Sequence, residues 1–132
     1  MLQPLTSAQL HLGVVYSRAQ LAQIFSISDA TLKNGVFQPK GTRSVWLFVT
    51  EEKTADRTQY RDRLVGGTLY WQGQTQGRTD SLIIEHQNRG LEILLFYRLH
   101  KLQYAQAGFR YEGPFCYQSH SGAKPTNFVL VR

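Results

Sequence analysis

Residues 60–80 gather the side chains best suited to recognition chemistry. Tyr60, Tyr70 and Trp71 offer ring faces, Asp62 a carboxylate, and Gln72 and Gln74 amides that both donate and accept hydrogen bonds. Arg61, Arg63 and Arg78, with Arg57 just upstream, add guanidinium forks. Gly66, Gly67, Gly73 and Gly77 let another backbone come close. An extruded base needs such a set: rings to stack on, amides and a carboxylate to match its edge, and Arg, Thr79 and exposed N–H groups to hold the flanking phosphates. A purely structural reading stands beside this one. Tyr70 and Trp71 are neighbours on a strand, so one of them faces a core, and Gln72, Gln74 and Gln76 then line the wet side of a hairpin.

Catalytic chemistry is harder to find. His11, His86, His100 and His120 have neither HExxH-type spacing nor cysteine partners, and the chain has no GxSxG elbow and no phosphate-binding loop. The best candidate for a metal-dependent nuclease is Glu51-Glu52-Lys53 at a strand end, with Asp29 upstream, since carboxylates and a lysine can hold a metal and polarise a water. The plainer reading is a solvated loop. Cys116 alternates within an aromatic segment and reads as a small buried residue. The expectation is a protein that is not an enzyme and needs no cofactor or metal.

These side chains need a scaffold, and the hydrophobic period supplies its outline. Ser17-Arg18-Ala19-Gln20 reads as a capping box that opens a short amphipathic helix through Phe25. Ser28-Asp29 marks a second start, and Asn34-Gly35 ends it because both tolerate positive φ. From there the pattern is that of strands. Residues 44–50 and 91–98 are continuous apolar runs, as expected of strands buried on both faces. Strands are also expected at 68–72 behind the Gly66-Gly67 turn, at 82–86, at 109–118 with a bend or bulge at Gly113-Pro114, and at 128–131. About six strands against two short helices predict an α+β fold, mainly β, as a bent sheet or small barrel.

Composition narrows the class. At 132 residues the chain is read as one domain, residues 1–132, with 42% apolar residues and no low-complexity tract. A single cysteine excludes an internal disulfide framework and a cysteine-rich zinc site. No apolar run reaches membrane-spanning length and residues 1–9 lack a signal-peptide pattern, so a cytoplasmic location with no membrane partner is expected. Fifteen basic against nine acidic residues give a net charge of +6, and most of the basic ones are Arg. That balance favours a polyanionic partner.

A family resemblance sharpens the picture. Tyr16 to Ala22 (Tyr-Ser-Arg, then Leu-Ala), Leu47-Phe48-Val49-Thr50, Tyr60-x-Asp62, Trp71-Gln72-x-Gln74, Ile84-x-His86, Leu95-Phe96 and Phe109-x-Tyr111-x-Gly113 follow a familiar order. The chain resembles, from about Tyr16 onward, the SRA-like C-terminal domain of helicase-linked, modification-dependent restriction enzymes, which belongs to the PUA superfamily of small barrels. The resemblance implies a reader of modified DNA. It implies that 5-methylcytosine or a related base is flipped into an aromatic pocket, with Tyr60, Asp62 and Trp71 at its centre and Gln72 and Gln74 beside them. It also implies that a nuclease or helicase, absent from this chain, acts with it as a partner subunit or further domain.

Two other nucleic-acid readings share the same residues. A PUA-like module could take RNA, using single-stranded bases or 2′-hydroxyls. Residues 18–32 also resemble a helix-turn-helix, although Asn34-Gly35 cuts the second helix short and no third follows. A helical pair packed on the sheet, flanking the pocket, is the preferred reading of that stretch.

Overall fold

The computed structural model describes residues 3–52 and 62–132. Its frame is a bent, open sheet of eight strands: β1 (Val15–Tyr16), β2 (Val36–Phe37), β3 (Ser44–Glu52), β4 (Arg63–Val65), β5 (Thr68–Gln72), β6 (Glu92–His100), β7 (Phe109–Ser121) and β8 (Asn127–Val131). Seven run in the order β2-β3-β6-β7-β8-β5-β4, and β1 pairs with β7. Two short helices, α1 (Arg18–Ile24) and α2 (Asp80–Ile84), and three 3-10 turns complete it. The protein is therefore α+β and mainly β, as its alternation implies.

Among the described residues β3 and β6 form the one parallel pair, and the other strand pairs are antiparallel. Both are covered on both faces, which explains their unbroken apolar runs. On one face Val45, Leu47, Val49, Ile93 and Leu95 meet Leu69, Trp71, Phe128 and Leu130, brought over by the bend of the sheet. On the other, Trp46, Phe48, Leu94 and Phe96 meet Phe109, Tyr111 and Leu21 of α1. Burying a large apolar side chain contributes about 1.5–3 kcal/mol, so this double-sided cover makes β3 and β6 the spine.

β7 is long enough to belong to both halves because it bends. Its register against β6 slips between Tyr111 and Gly113, leaving Glu112 as the extra residue, and Gly113 sits at φ +87°. A second slip, at Gln118, follows against β8. The bulge expected at Gly113-Pro114 is thus present, one residue early.

Other expectations are corrected. Residues 82–86 are not a strand: Asp80–Ile84 is a helix that sinks Ile83 into the core. A short apolar run between polar residues fits one helical turn as well as a strand. Cys116 is exposed, because it follows buried Phe115 and so falls on the outward side of β7's alternation, with Arg110 and Pro114. The capping box at Ser17 is present, with Ser17 Oγ accepting from the Gln20 N–H at 3.1 Å and Gln20 returning to the Ser17 N–H at 2.8 Å. The next start belongs to Asp29, not Ser28, and opens a single 3-10 turn, Ala30–Lys33. Asn34 ends it with φ −72°, and Gly35 has no positive φ either. One four-residue turn is too short to lie in a groove, and its Leu32 is buried with α1 against the sheet. No helix among the described residues is long and apolar enough to cross a membrane.

Candidate functional site

The β4–β5 hairpin turns at Gly66, whose φ of +59° suits a two-residue reversal, and so carries Arg63 back beside Tyr70. β5 then pairs with β8, which places Gln72 opposite Asn127 and Tyr70 opposite Val129. β8 pairs with the far end of β7, adding Ser119, His120 and Ser121. Together with Glu51 at the end of β3 and Asp62 just before β4, these residues and Trp71 and Phe128 line a cleft of about 730 Å3. That volume lies within the range of small-molecule sites.

Its floor is aromatic. Trp71 stacks on Phe128 with centroids 5.4 Å apart and planes at 26°. Trp71 is only 6% exposed, so it is a core residue that borders the cleft and not a free stacking face. Tyr70, on the opposite pleat, is exposed, and the Arg63 guanidinium lies 4.9 Å from its ring centre. The expectation that one of this pair faces the core therefore resolves in favour of Trp71.

The walls are polar. Asp62 is buried, and its Oδ1 accepts from the Gln72 N–H at 2.9 Å. Gln72 Nε2 donates to Asn127 Oδ1 at 3.0 Å. Glu51 Oε1 accepts from the Tyr97 hydroxyl at 2.6 Å and from the Leu64 N–H at 3.3 Å. Burial, together with this bond to Glu51, pushes the Tyr97 hydroxyl well above the usual tyrosine range. On the far rim the Tyr117 hydroxyl and His120 Nδ1 are hydrogen-bonded at 2.5 Å.

The structure brings together Asp62, Arg63, Tyr70, Trp71 and Gln72. Gln74 and Arg78 lie on the turn that follows β5, outside the cleft lining. The Thr79 hydroxyl oxygen is buried, with no hydrogen-bond partner among the described residues, and so does not face the solvent. Arg57, Tyr60, Arg61 and Lys53 lie outside the described residues. His120, Ser119 and Asn127 were not legible as site residues, because strand pairing alone unites them with Asp62; Glu51, singled out only as a nuclease candidate, lines the same cleft. Asp29 is exposed, caps its 3-10 turn through Thr31 and does not line the cleft that holds Glu51. Among the described residues no three His, Cys, Asp or Glu side chains converge as metal ligands do. The helical pair does not border this cleft; α1 flanks a smaller one instead.

No protein-family model matches the chain, and no curated protein matches it. Among solved structures, the fold recurs in a modification-dependent restriction enzyme. That structure, titled "Modification dependent TagI restriction endonuclease", superposes with a TM-score of 0.54 at 18% identity, over 92% of this chain and 49% of the other. At this identity the likeness establishes a shared fold. The present chain spans about half the length of that endonuclease.

Proposed function

We propose that this chain is a reader of modified DNA that takes a modified base, 5-methylcytosine or a derivative, into the cleft between β4, β5 and β8, and that it does not itself cut. The observation that carries this reading is the pairing, in one base-sized cleft, of a buried carboxylate with an exposed aromatic ring and an arginine. Asp62 accepts from the exocyclic amine of a cytosine, Tyr70 stacks on the ring, and Arg63 holds a flanking phosphate. Trp71 and Phe128 form a dry floor against which a 5-methyl group packs. Gln72 and Asn127 supply the adaptable amides of the wall.

The energetics fit this division of labour. Extruding a base costs a few kcal/mol, and stacking on one aromatic face returns about 1–3 kcal/mol. Edge hydrogen bonds and the packed methyl group must supply the rest. The fold likeness to a modification-dependent restriction endonuclease supports the DNA partner. Cleavage then comes from a nuclease partner, acting with or without a helicase, or from another part of a longer chain.

The test is a binding screen over duplexes that differ only in cytosine, 5-methylcytosine, 5-hydroxymethylcytosine and N6-methyladenine, with matched RNA as competitor. A preference for one modified cytosine, abolished in Asp62→Ala and retained in Arg89→Ala, is expected. Equal affinity for all duplexes, or displacement by RNA, overturns the reading. Nicking of modified plasmid by the purified chain with magnesium, lost in Glu51→Ala, overturns the non-cutting part.

A further inference from the structure

Side chains alternate between the two faces along β3 and β6. Glu51 and Tyr97 meet on the cleft face, while their neighbours Thr50 and Arg98 meet on the opposite face, toward α1. There Arg98 donates from Nε to Thr50 Oγ1 and from Nη1 to the Ala107 carbonyl, both at 2.8 Å. Its guanidinium lies 4.0 Å from the centre of the Phe109 ring. Arg18, the first residue of α1, sets its own guanidinium 5.0 Å from the same ring and 4.5 Å from that of Phe48. Its Nε donates to the Leu32 carbonyl at 3.1 Å. Two cations thus share one aromatic ring.

Neither arginine meets a carboxylate among the described residues. Glu85 and Glu112 instead hold Arg89, Arg110 and Arg132. Burial, and then the charge of Arg98, depress the Arg18 pKa, as positive charge gathered without its counter-charge must. Each guanidinium has five N–H donors, of which protein acceptors take one on Arg18 and two on Arg98. Arg18 lines a small cleft of about 350 Å3 with Ser17, Ala19, Gln106 and Ala107. Gln106 and Ala107 hold φ of 57° and 54°, a conformation that side-chain-bearing residues seldom adopt, and Ala107 offers the carbonyl that Arg98 grips.

We propose that Arg18, lining this small cleft with the buried charge of Arg98 behind it, forms a second anion site that binds a phosphate group on the face opposite the base-sized cleft. A phosphate brings the negative charge that the pair lacks, and its oxygens match the paired N–H groups of a guanidinium. The group can come from a nucleic-acid backbone or from a free phosphate ester. The site does not depend on the reading of the other cleft.

The experiment compares the whole chain with Arg18→Gln and Arg18→Lys. Thermal unfolding is followed in inorganic phosphate and in chloride of equal ionic strength, and binding of modified and unmodified duplex is followed across salt. Phosphate is expected to raise the wild-type melting temperature above the chloride control, with the difference lost in Arg18→Gln and partly kept in Arg18→Lys. If Arg18→Gln also weakens both duplexes alike and lowers the salt slope by about one, the phosphate belongs to nucleic acid. If duplex binding is unchanged while the phosphate effect disappears, the site takes a free phosphate ester. An Arg18→Gln variant with phosphate stabilisation and duplex binding both as in wild type overturns the site. None of these outcomes touches discrimination between bases, so the two proposals fail separately.

Discussion

The two ends of β7 serve different regions. Near Phe109 and Tyr111 the strand joins a region packed with rings: Phe48 stacks on Phe96 at 5.1 Å, Trp46 meets Phe96 edge-on at 5.5 Å, and α1 closes the outside. Near Ser119 and Ser121 the same strand joins β8 and β5 around the cleft, where side chains of the β7 end are exposed. Polar groups follow the same division. In the ring-packed region they are caged: Ser44 and Ser7 donate to Glu92, and Trp46 Nε1 donates to Thr6 Oγ1 at 2.9 Å. In the cleft region Asp62, Gln72 and Asn127 border open space. The first region holds the molecule together and keeps polar groups for a ligand only at its Arg18 edge, while the second frames the larger cleft.

Substitutions can break or sharpen this contrast. The largest effect is expected from Phe96→Ala, which removes a fully buried ring from the packed region and should cost about 3–5 kcal/mol in urea unfolding. Binding per folded molecule should not change. Asp62→Ala should cost less, about 1–3 kcal/mol, because the part-buried Gln72 N–H loses its acceptor. Its main effect should be loss of preference for a modified base in fluorescence anisotropy. Tyr70→Ala sharpens the contrast further. Stability should stay within about 0.5 kcal/mol because the ring is exposed, while affinity for the modified duplex drops by about 1–3 kcal/mol. Trp71→Ala is the weaker probe, since this ring is core and its loss confounds folding with binding.

Smaller effects test the packed region alone. Ser17→Ala removes one half of the capping box and should cost about 1 kcal/mol by the same unfolding measurement, leaving the cleft untouched. At neutral pH the smallest effect belongs to Tyr111→Phe. Burial pushes the Tyr111 hydroxyl up to about 12, above an unfolded value of about 10. The folded state therefore favours the neutral phenol. Its contribution is fully present below pH about 10 and is lost as pH rises toward about 12. The stability of Tyr111→Phe should fall less steeply over that window, and a slope identical to wild type would count against burial as the cause.

Much of this frame was legible in the residues. Continuous runs at 44–50 and 91–98 stood out because a strand covered on both faces needs no polar alternation. β1, β2 and β4, at two or three residues each, are too short to carry a period, and α2 was misread because Leu82-Ile83-Ile84 satisfies either geometry. Of the site, the local part was visible: Asp62, Arg63, Tyr70, Trp71 and Gln72 crowd one stretch of chain. The distant part was not, since only the registers of β5 with β8 and of β8 with β7 bring Asn127 and His120 to it. The serines flanking His120 ahead of Gly122 were the one available hint, and they resemble any hairpin end.

The parallel pairing of β3 with β6 also dictates when the site comes into being. Ser44 bonds Glu92 across 48 residues, and the intervening chain holds β4, β5 and α2. β8 is the last of the eight strands in chain order, yet it is the one that bridges β5 to β7 and contributes Asn127, Phe128 and Val129 to the cleft. A chain emerging from the ribosome N-terminus first can thus assemble its spine while the cleft still lacks a wall. Synthesis takes place on a surface rich in RNA, and this chain carries a charge of +6. Until residues 127–131 are free to dock, the nascent protein carries its positive charge without a finished cleft.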